Sequence, residues 1–244
     1  MPRLHLTLAL LPLLAASCAG KASDGDEDDA DGDGAGLPST ALWIAPGGAT
    51  YRRVSDGALA WTVSASLCSP SGSGLRCTSE LQLTGPVGRR CPDCADQDLS
   101  VDTVWAADGS ASVERVELHA GDGLPLGVAL SGVALTLLPE GPWAVGNPVA
   151  VGAEVDLPDE VVPVFARFIL LSEGGAFTTV DDRTFSDCTL FAYAERDGED
   201  VLAIAASCAG EGIVQAAFPR MDLEELDAIG PFAGISDRDL FVRD

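Results

Sequence analysis

The chain has 244 residues, with 38 acidic and 14 basic side chains and a net charge of −24. So acidic a surface repels nucleic acid and anionic lipid headgroups, which excludes both as partners through charge. With 47% apolar residues the chain can still build a packed core, so its body is not disordered.

The first residues are Met1-Pro2-Arg3, followed by an apolar run from Leu4 to Leu14 and the small residues Ala15-Ala16-Ser17. A charged start, a short apolar stretch and a small-residue cleavage site are the parts of a secretory signal. The run falls short of the roughly 20 apolar residues that span a bilayer, so it reads as a leader and not a transmembrane helix. Leu14 to Ser17 immediately before Cys18 resembles a bacterial lipobox, with Ala15 where Leu is usual. That resemblance implies cleavage after Ser17, acylation of Cys18 and attachment to a bilayer through the acylated N-terminus. Ala19 in place of Asp implies, by the same analogy, passage to the outer membrane.

Ser23 to Gly36 carry seven carboxylates and no apolar residue larger than Ala. Like charges repel and nothing there can be buried, so residues 18–40 are expected to be an extended acidic tether. Asp29, Asp31 and Asp33 followed by Gly34 match the opening of a calcium loop, but Thr40 stands where a bidentate Glu belongs. A solvated spacer is the preferred reading, with weak calcium association the alternative.

Residues 41–244 then form one extracytoplasmic domain. Turn signals recur at Asp56-Gly57, Asp108-Gly109, Gly121-Asp122-Gly123, Glu140-Gly141, Gly174-Gly175 and Asp197-Gly198. Between them lie runs rich in Val, Leu, Ala, Thr and aromatics, a rhythm that predicts an all-β, mainly antiparallel fold. The architecture expected is a β-sandwich or an up-and-down barrel-like domain with one short C-terminal helix. A two-residue turn at Asp108-Gly109 sets Leu99 opposite Leu118, Val101 opposite Val116 and Val104 opposite Val113, with Asp102 facing Arg115. A strand is preferred over Val164 to Leu171, since Pro163 blocks a helix from upstream. A three-residue loop at Asp197-Gly198-Glu199 sets Cys188 opposite Cys208 on a face shared with Leu190, Ala192, Ala194, Leu202, Ile204 and Ala206. That places the two cysteines at closing distance and predicts a disulfide. The helix is capped by Asp222 with Glu225, ends at Gly230-Pro231, and turns Leu223, Leu226 and Ile229 to the sheet.

Besides Cys18, the six cysteines Cys68, Cys77, Cys91, Cys94, Cys188 and Cys208 read as three disulfides of an exported protein. Unbroken alternation through Trp61, Val63, Ala65 and Leu67 points Cys68 away from the face of Cys77. The remaining four are therefore expected to pair crosswise, Cys68 and Cys77 with Cys91 and Cys94 in either order. Cys91-Pro92-Asp93-Cys94 also has redox-dithiol spacing, but strand-like alternation follows it where a helix is needed. Zinc on the four cysteines is the other alternative, and the Cys68/Cys77 spacing is wrong for it.

Catalytic signals are weak. His119 is the single histidine after the leader, and no G-x-S-x-G elbow supplies a nucleophile. Asp159-Glu160 and Asp181-Asp182 resemble glycosidase pairs only as chance would among so many acids. Trp43, Trp61, Trp105 and Trp143 are a conceivable sugar platform, and Arg89-Arg90 a conceivable anion grip. No cofactor is implied.

The lipobox, the Asp/Gly tether and a β-rich body with a Cys-Pro-Asp-Cys segment together resemble the uncharacterised envelope lipoproteins of high-GC Gram-negative bacteria. The resemblance implies location and anchoring but no activity. The expected function is a non-catalytic structural or binding role with an unknown protein or small-ligand partner. A small-ligand carrier with a barrel cavity, a Cys91/Cys94 thiol-disulfide protein and an acidic hydrolase are the rivals.

Overall fold

In a computed structural model of the chain, the residues described are 47–64, 66–84, 97–119, 125–156 and 161–244. They form a mainly antiparallel β-barrel with one short helix. The strands are β1 (Ala49–Arg53), β2 (Leu59–Val63), β3 (Leu67–Ser71), β4 (Gly74–Leu83), β5 (Gln97–Trp105), β6 (Ala111–His119) and β7 (Pro125–Leu138). They continue with β8 (Val149–Asp156), β9 (Val161–Thr178), β10 (Thr184–Glu195), β11 (Val201–Cys208), β12 (Gly212–Ala217) and β13 (Leu240–Arg243). Each pairs with its chain neighbour from β3 through β13, β13 returns to β1, and β2 bonds both β1 and β4. The ring therefore closes on twelve strands, with β3 lying alongside the first half of β4. A barrel, and not a sandwich, is the outcome of the two architectures expected.

Alternation explains the wall. On β4, Cys77, Ser79, Leu81 and Leu83 are buried, while Arg76, Glu80 and Gln82 are exposed. On β5, Leu99, Val101, Thr103 and Trp105 face inward and Asp102 faces out, where Arg115 meets it. A membrane-spanning barrel carries its apolar band outside. On β4 and β5 the charges lie outside and the hydrocarbon inside, the reverse of that pattern. Among the described residues no helix is long and apolar enough to cross a membrane.

Among the described residues the interior is closely packed around aromatic side chains. Tyr51, Phe168, Phe191, Phe241, Leu83 and Val113 all have 0% exposure, so no water-sized space adjoins them. Tyr51 stacks on Trp61 with ring centroids 4.7 Å apart, and Trp61 meets Phe241 at 4.9 Å and Phe218 at 6.3 Å. A second group joins Phe168, Phe191, Tyr193 and Trp143. Both buried tyrosine hydroxyls are satisfied, while the Trp61 indole N–H has no hydrogen-bond partner among the described residues. The Tyr51 hydroxyl donates to the Ile213 carbonyl at 2.8 Å, and that of Tyr193 to the Leu137 carbonyl at 2.9 Å. The latter bond spans the interior from β10 to β7, beside the seam where β7 and β8 share one register pair, Thr136 with Gly152. Burial pushes the Tyr193 phenol well above its ordinary range, which keeps it a donor.

A second layer covers the outside of β10–β13. Helix α1 (Leu223–Ile229) buries Leu226 over Ile204 and Ala217. Asp222 caps it, its Oδ1 accepting from the Glu225 amide at 2.8 Å, and Gly230 ends it at φ 82°. Leu223 is partly buried there, but Ile229 is 42% exposed, so only two of the three expected helix contacts are made. The following Phe232 packs against Phe177, over the Cys188–Cys208 sulfurs.

Three local expectations are corrected. The turn between β5 and β6 runs through Ala106 to Ser110, closed by Ala106 N–H on the Ser110 carbonyl. The Asp102/Arg115, Val101/Val116 and Leu99/Leu118 pairs stand, but a register shift beyond Asp102 sets Val113 against Thr103 and leaves Val104 beside Ser112. A similar shift beyond Tyr193 puts Val201, not Leu202, opposite Ala194. Gly174-Gly175 is not a turn: it lies inside β9, where Gly174 (φ 73°) adjoins an irregular register, and the real turn is Val180 to Arg183. The segment Val164 to Leu171 is a strand, part of β9.

Two substitutions test the packing by chemical denaturation. Phe168→Ala removes an aromatic ring from a filled site and is expected to cost about 3–5 kcal/mol. Tyr193→Phe keeps the ring but orphans the Leu137 carbonyl, for an expected loss of about 1–2 kcal/mol.

Candidate functional site

The cysteines fall into two hairpin bridges. Cys188 is opposite Cys208 on β10 and β11, with Cα atoms 4.0 Å apart and a bond between the sulfurs. Cys68 is opposite Cys77 on β3 and β4, at 4.1 Å, and also bonded. The second pairing corrects the crossed pairing expected with Cys91 and Cys94. Trp61 and Val63 sit opposite Leu83 and Leu81, but Leu67 and Cys68 sit opposite Thr78 and Cys77, one residue out of step. The run is bulged between Val63 and Leu67, and a one-residue slip turns every later side chain over. Ser66 is accordingly 5% exposed and Leu67 81% exposed. Cys68 thereby shares the inner face of Cys77.

Cys18, Asp29, Asp31, Asp33, Trp43, Arg89, Arg90, Cys91, Cys94, Asp159 and Glu160 lie outside the described residues. The remaining candidates are dispersed. Asp181 accepts from Thr179 Oγ1 and Arg183, which spends it on the β9–β10 turn, while Asp182 occupies the left-handed region at φ 64°. Trp61 and Trp105 are core residues, and Trp143 packs on Phe168 with its indole N–H donating to the Pro139 carbonyl at 2.9 Å. These three therefore form no sugar platform. Among the described residues no group of three or more His, Cys, Asp or Glu side chains is placed to hold a metal ion.

His119 ends β6 directly opposite Asp98 of β5, and both line a groove of about 570 Å³ in the barrel wall. Thr62, Val63, Ser64, Glu80, Leu81 and Gln82 complete it. Four of these residues sit in one row across four strands: Thr62 pairs with Gln82, Gln82 with Asp98, and Asp98 with His119. The next row is tied down, since Ser64 Oγ accepts from the Glu80 amide at 3.0 Å. Further along, Thr78 donates to Asp102 at 2.6 Å, Arg115 pairs with Asp102 and Glu117, and Arg76 pairs with Glu114. The row ending in His119 has no such partners among the described residues. Ser64 lines the groove with His119 and Asp98, but its hydroxyl serves the strand backbone and is not poised as a nucleophile. A second groove, of about 530 Å³, adjoins the N-terminus of α1 and is bounded by Asp200, Arg220, Met221, Asp222 and Glu225. Its Asp222 is occupied as the helix cap.

No family model matches the chain, and no curated protein matches its sequence. Among solved structures it is similar to a Bacteroides fragilis protein assigned as exported and to the YmcC-like fold. That likeness has a TM-score of 0.36 and 11% identity over 81% of this chain and 93% of the other, too distant to carry an argument.

The Cys188–Cys208 bridge lies under Phe232 and Val214 and constrains two long strands. Cys188→Ala with Cys208→Ala is expected to lower unfolding free energy by about 2–4 kcal/mol under oxidising conditions, and by nothing relative to wild type once both are reduced.

Proposed function

We propose that this protein is a lipid-anchored, non-catalytic module of the bacterial cell envelope, tethered through acylated Cys18 to the outer membrane. The body carried by that anchor is a water-facing barrel with a structural or binding role. The observation that carries the reading is the chemistry of the described cysteines. Four of them are spent in two disulfides, one on the inner and one on the outer face of the wall. Such a frame persists in an oxidising, extracytoplasmic compartment. It agrees with the leader-like Arg3 to Ser17 and the acidic tether before the first strand.

The two bridges leave Cys91 and Cys94 with each other as the remaining partners, and we assign them to a third, local disulfide. Leu83 and Gln97, which flank the segment that carries them, are paired. A small-ligand carrier is the alternative reading, with any cavity lying away from the fully enclosed Tyr51, Phe168, Phe191 and Phe241. Binding is better sought on the outer wall.

Intact mass of membrane-extracted protein, alkylated with and without prior reduction, tests the reading. The expected species begins at Cys18, carries acyl chains and takes up six alkyl groups only after reduction. An unacylated chain would remove the tether from the account, and labelling of Cys91 and Cys94 without reduction would favour a free dithiol.

A further inference from the structure

We infer that the end of the barrel bearing residues 139–148, the loop from β7 to β8, rests on a zwitterionic lipid surface and presses Val145 into it. The inference rests on the lipid-anchored reading above and gives the module its orientation. Strand direction fixes which elements share that end. Every pairing around the ring is antiparallel, so the loop stands at the end where β1 starts, after Gly47. Leu83, Gln97, His119, Pro125, Asp156 and Val161, which flank residues 85–96, 120–124 and 157–160, are all at the opposite end.

The loop differs from its surroundings in charge. Gly141 to Ala153 carry no ionisable side chain, whereas the β5–β6, β9–β10 and β11–β12 turns at the same end carry Asp108, Asp181, Asp182 and Glu211. Pro142, Ala144, Val145 and Pro148 are exposed, Val145 at 62%. The loop is also fixed in shape. The Gly146 N–H donates to the Leu170 carbonyl at 2.8 Å, the Gly141 N–H to the Asp108 carbonyl at 3.1 Å, and the Trp143 ring meets Phe168 at 5.1 Å. Apolar side chains held together toward water form a patch of the kind that marks a contact surface. Leu67, 81% exposed, is on β3, which lines the half of β4 nearest that end. At ~4.8 Å per strand it is roughly 20 Å from the loop around the wall. Two apolar points so far apart suit a flat surface better than a single enclosed ligand.

Size selects the occupant. A stable protein–protein contact buries about 800 Å² on each partner. Four small side chains on one loop supply well under that, so a second copy is disfavoured. A bilayer asks less of the patch, because the anchor is already in it. Residues 19–46 join acylated Cys18 to Gly47, and a tether of that order holds its cargo at about millimolar effective concentration. A contact too weak to recruit the protein from solution is then populated. Asp108 and Glu140, at the root of the loop, repel anionic headgroups, which leaves a zwitterionic surface as the match.

Photolabelling of the acylated protein in phosphatidylcholine vesicles, containing a lipid with a diazirine on its acyl chain, tests the contact. Peptide mapping is expected to find more label on the peptide containing residues 139–148 than on those containing the turns 106–110 and 209–211. Val145→Asp is expected to cut that label at least fivefold, Val145→Leu to keep it, and Ile229→Asp at the opposite end to leave it unchanged. Thermal midpoints of all variants separate loss of contact from loss of fold. Intact mass of the same sample reports acylation. An unacylated chain is given an equivalent tether by coupling its free Cys18 thiol to a maleimide lipid, so the anchor and the contact fail separately. Label confined to the N-terminal peptide, label spread evenly over the turns, or cross-linking of the loop to a second protein in place of lipid overturns the proposal.

Discussion

The molecule depends on the double pairing of β1, which bonds β13 on one side and β2 on the other. A meander of β-strands ends in two raw edges, and an exposed edge is an invitation to pair with another chain. Here the two ends of the described chain remove them from the ring. Tyr51 stands at that joint. It lies opposite Arg243 of β13 and Trp61 of β2, stacks on the Trp61 ring, and donates its hydroxyl to Ile213 of β12. One side chain thus binds the first strands to the last, which have no connection through local sequence. The outer face of the joint is held by Arg52 with Asp244. That exposed ion pair contributes little beside the aromatic contact.

Closure also explains the division of labour around the wall. Strands β11 and β12 are buried on both faces because α1, Phe232 and Phe177 lie over this side of the wall. Among the described residues nothing covers the sector from β4 to β6, which carries an ordered lattice of ion pairs. A buried sector supplies stability. The bare one is where an outside molecule can reach side chains of defined geometry, and its groove is the place where, among the described residues, the lattice of ion pairs stops.

How far the sequence could be read follows from where its period of two holds. Between Cys188 and Tyr193 the pairing with β11 is unbroken, and the shift beyond Tyr193 offsets the longer real loop, so the three-residue loop assumed from the sequence still sets Cys208 opposite Cys188. Between Val63 and Leu67 one extra residue enters the strand, and nothing in Ser64-Ala65-Ser66 marks it as a bulge. The direction of Cys68 is therefore inverted in any reading that assumes regular pleating. At the β5–β6 turn the five-residue loop and the later register shift offset each other, which is why Asp102 still meets Arg115 while Val104 misses Val113. The groove is of another kind. Its members come from β2, β4, β5 and β6, and only the order of strands brings Thr62 into line with His119. His119 and the surplus of acids are visible in the sequence, but their company is not.

The account stands most directly on the covalent pairing of cysteines, because that pairing encodes the bulge, the hairpin registers and the oxidising compartment together. Mass spectrometry of non-reduced proteolytic peptides from the native protein reads it out. The account predicts peptides linking Cys68 to Cys77 and Cys188 to Cys208, with Cys91 joined to Cys94. A peptide linking Cys68 or Cys77 to Cys91 or Cys94 would contradict it, since the strand would then be regular, and the inner face of the barrel at β3 would have to be redrawn.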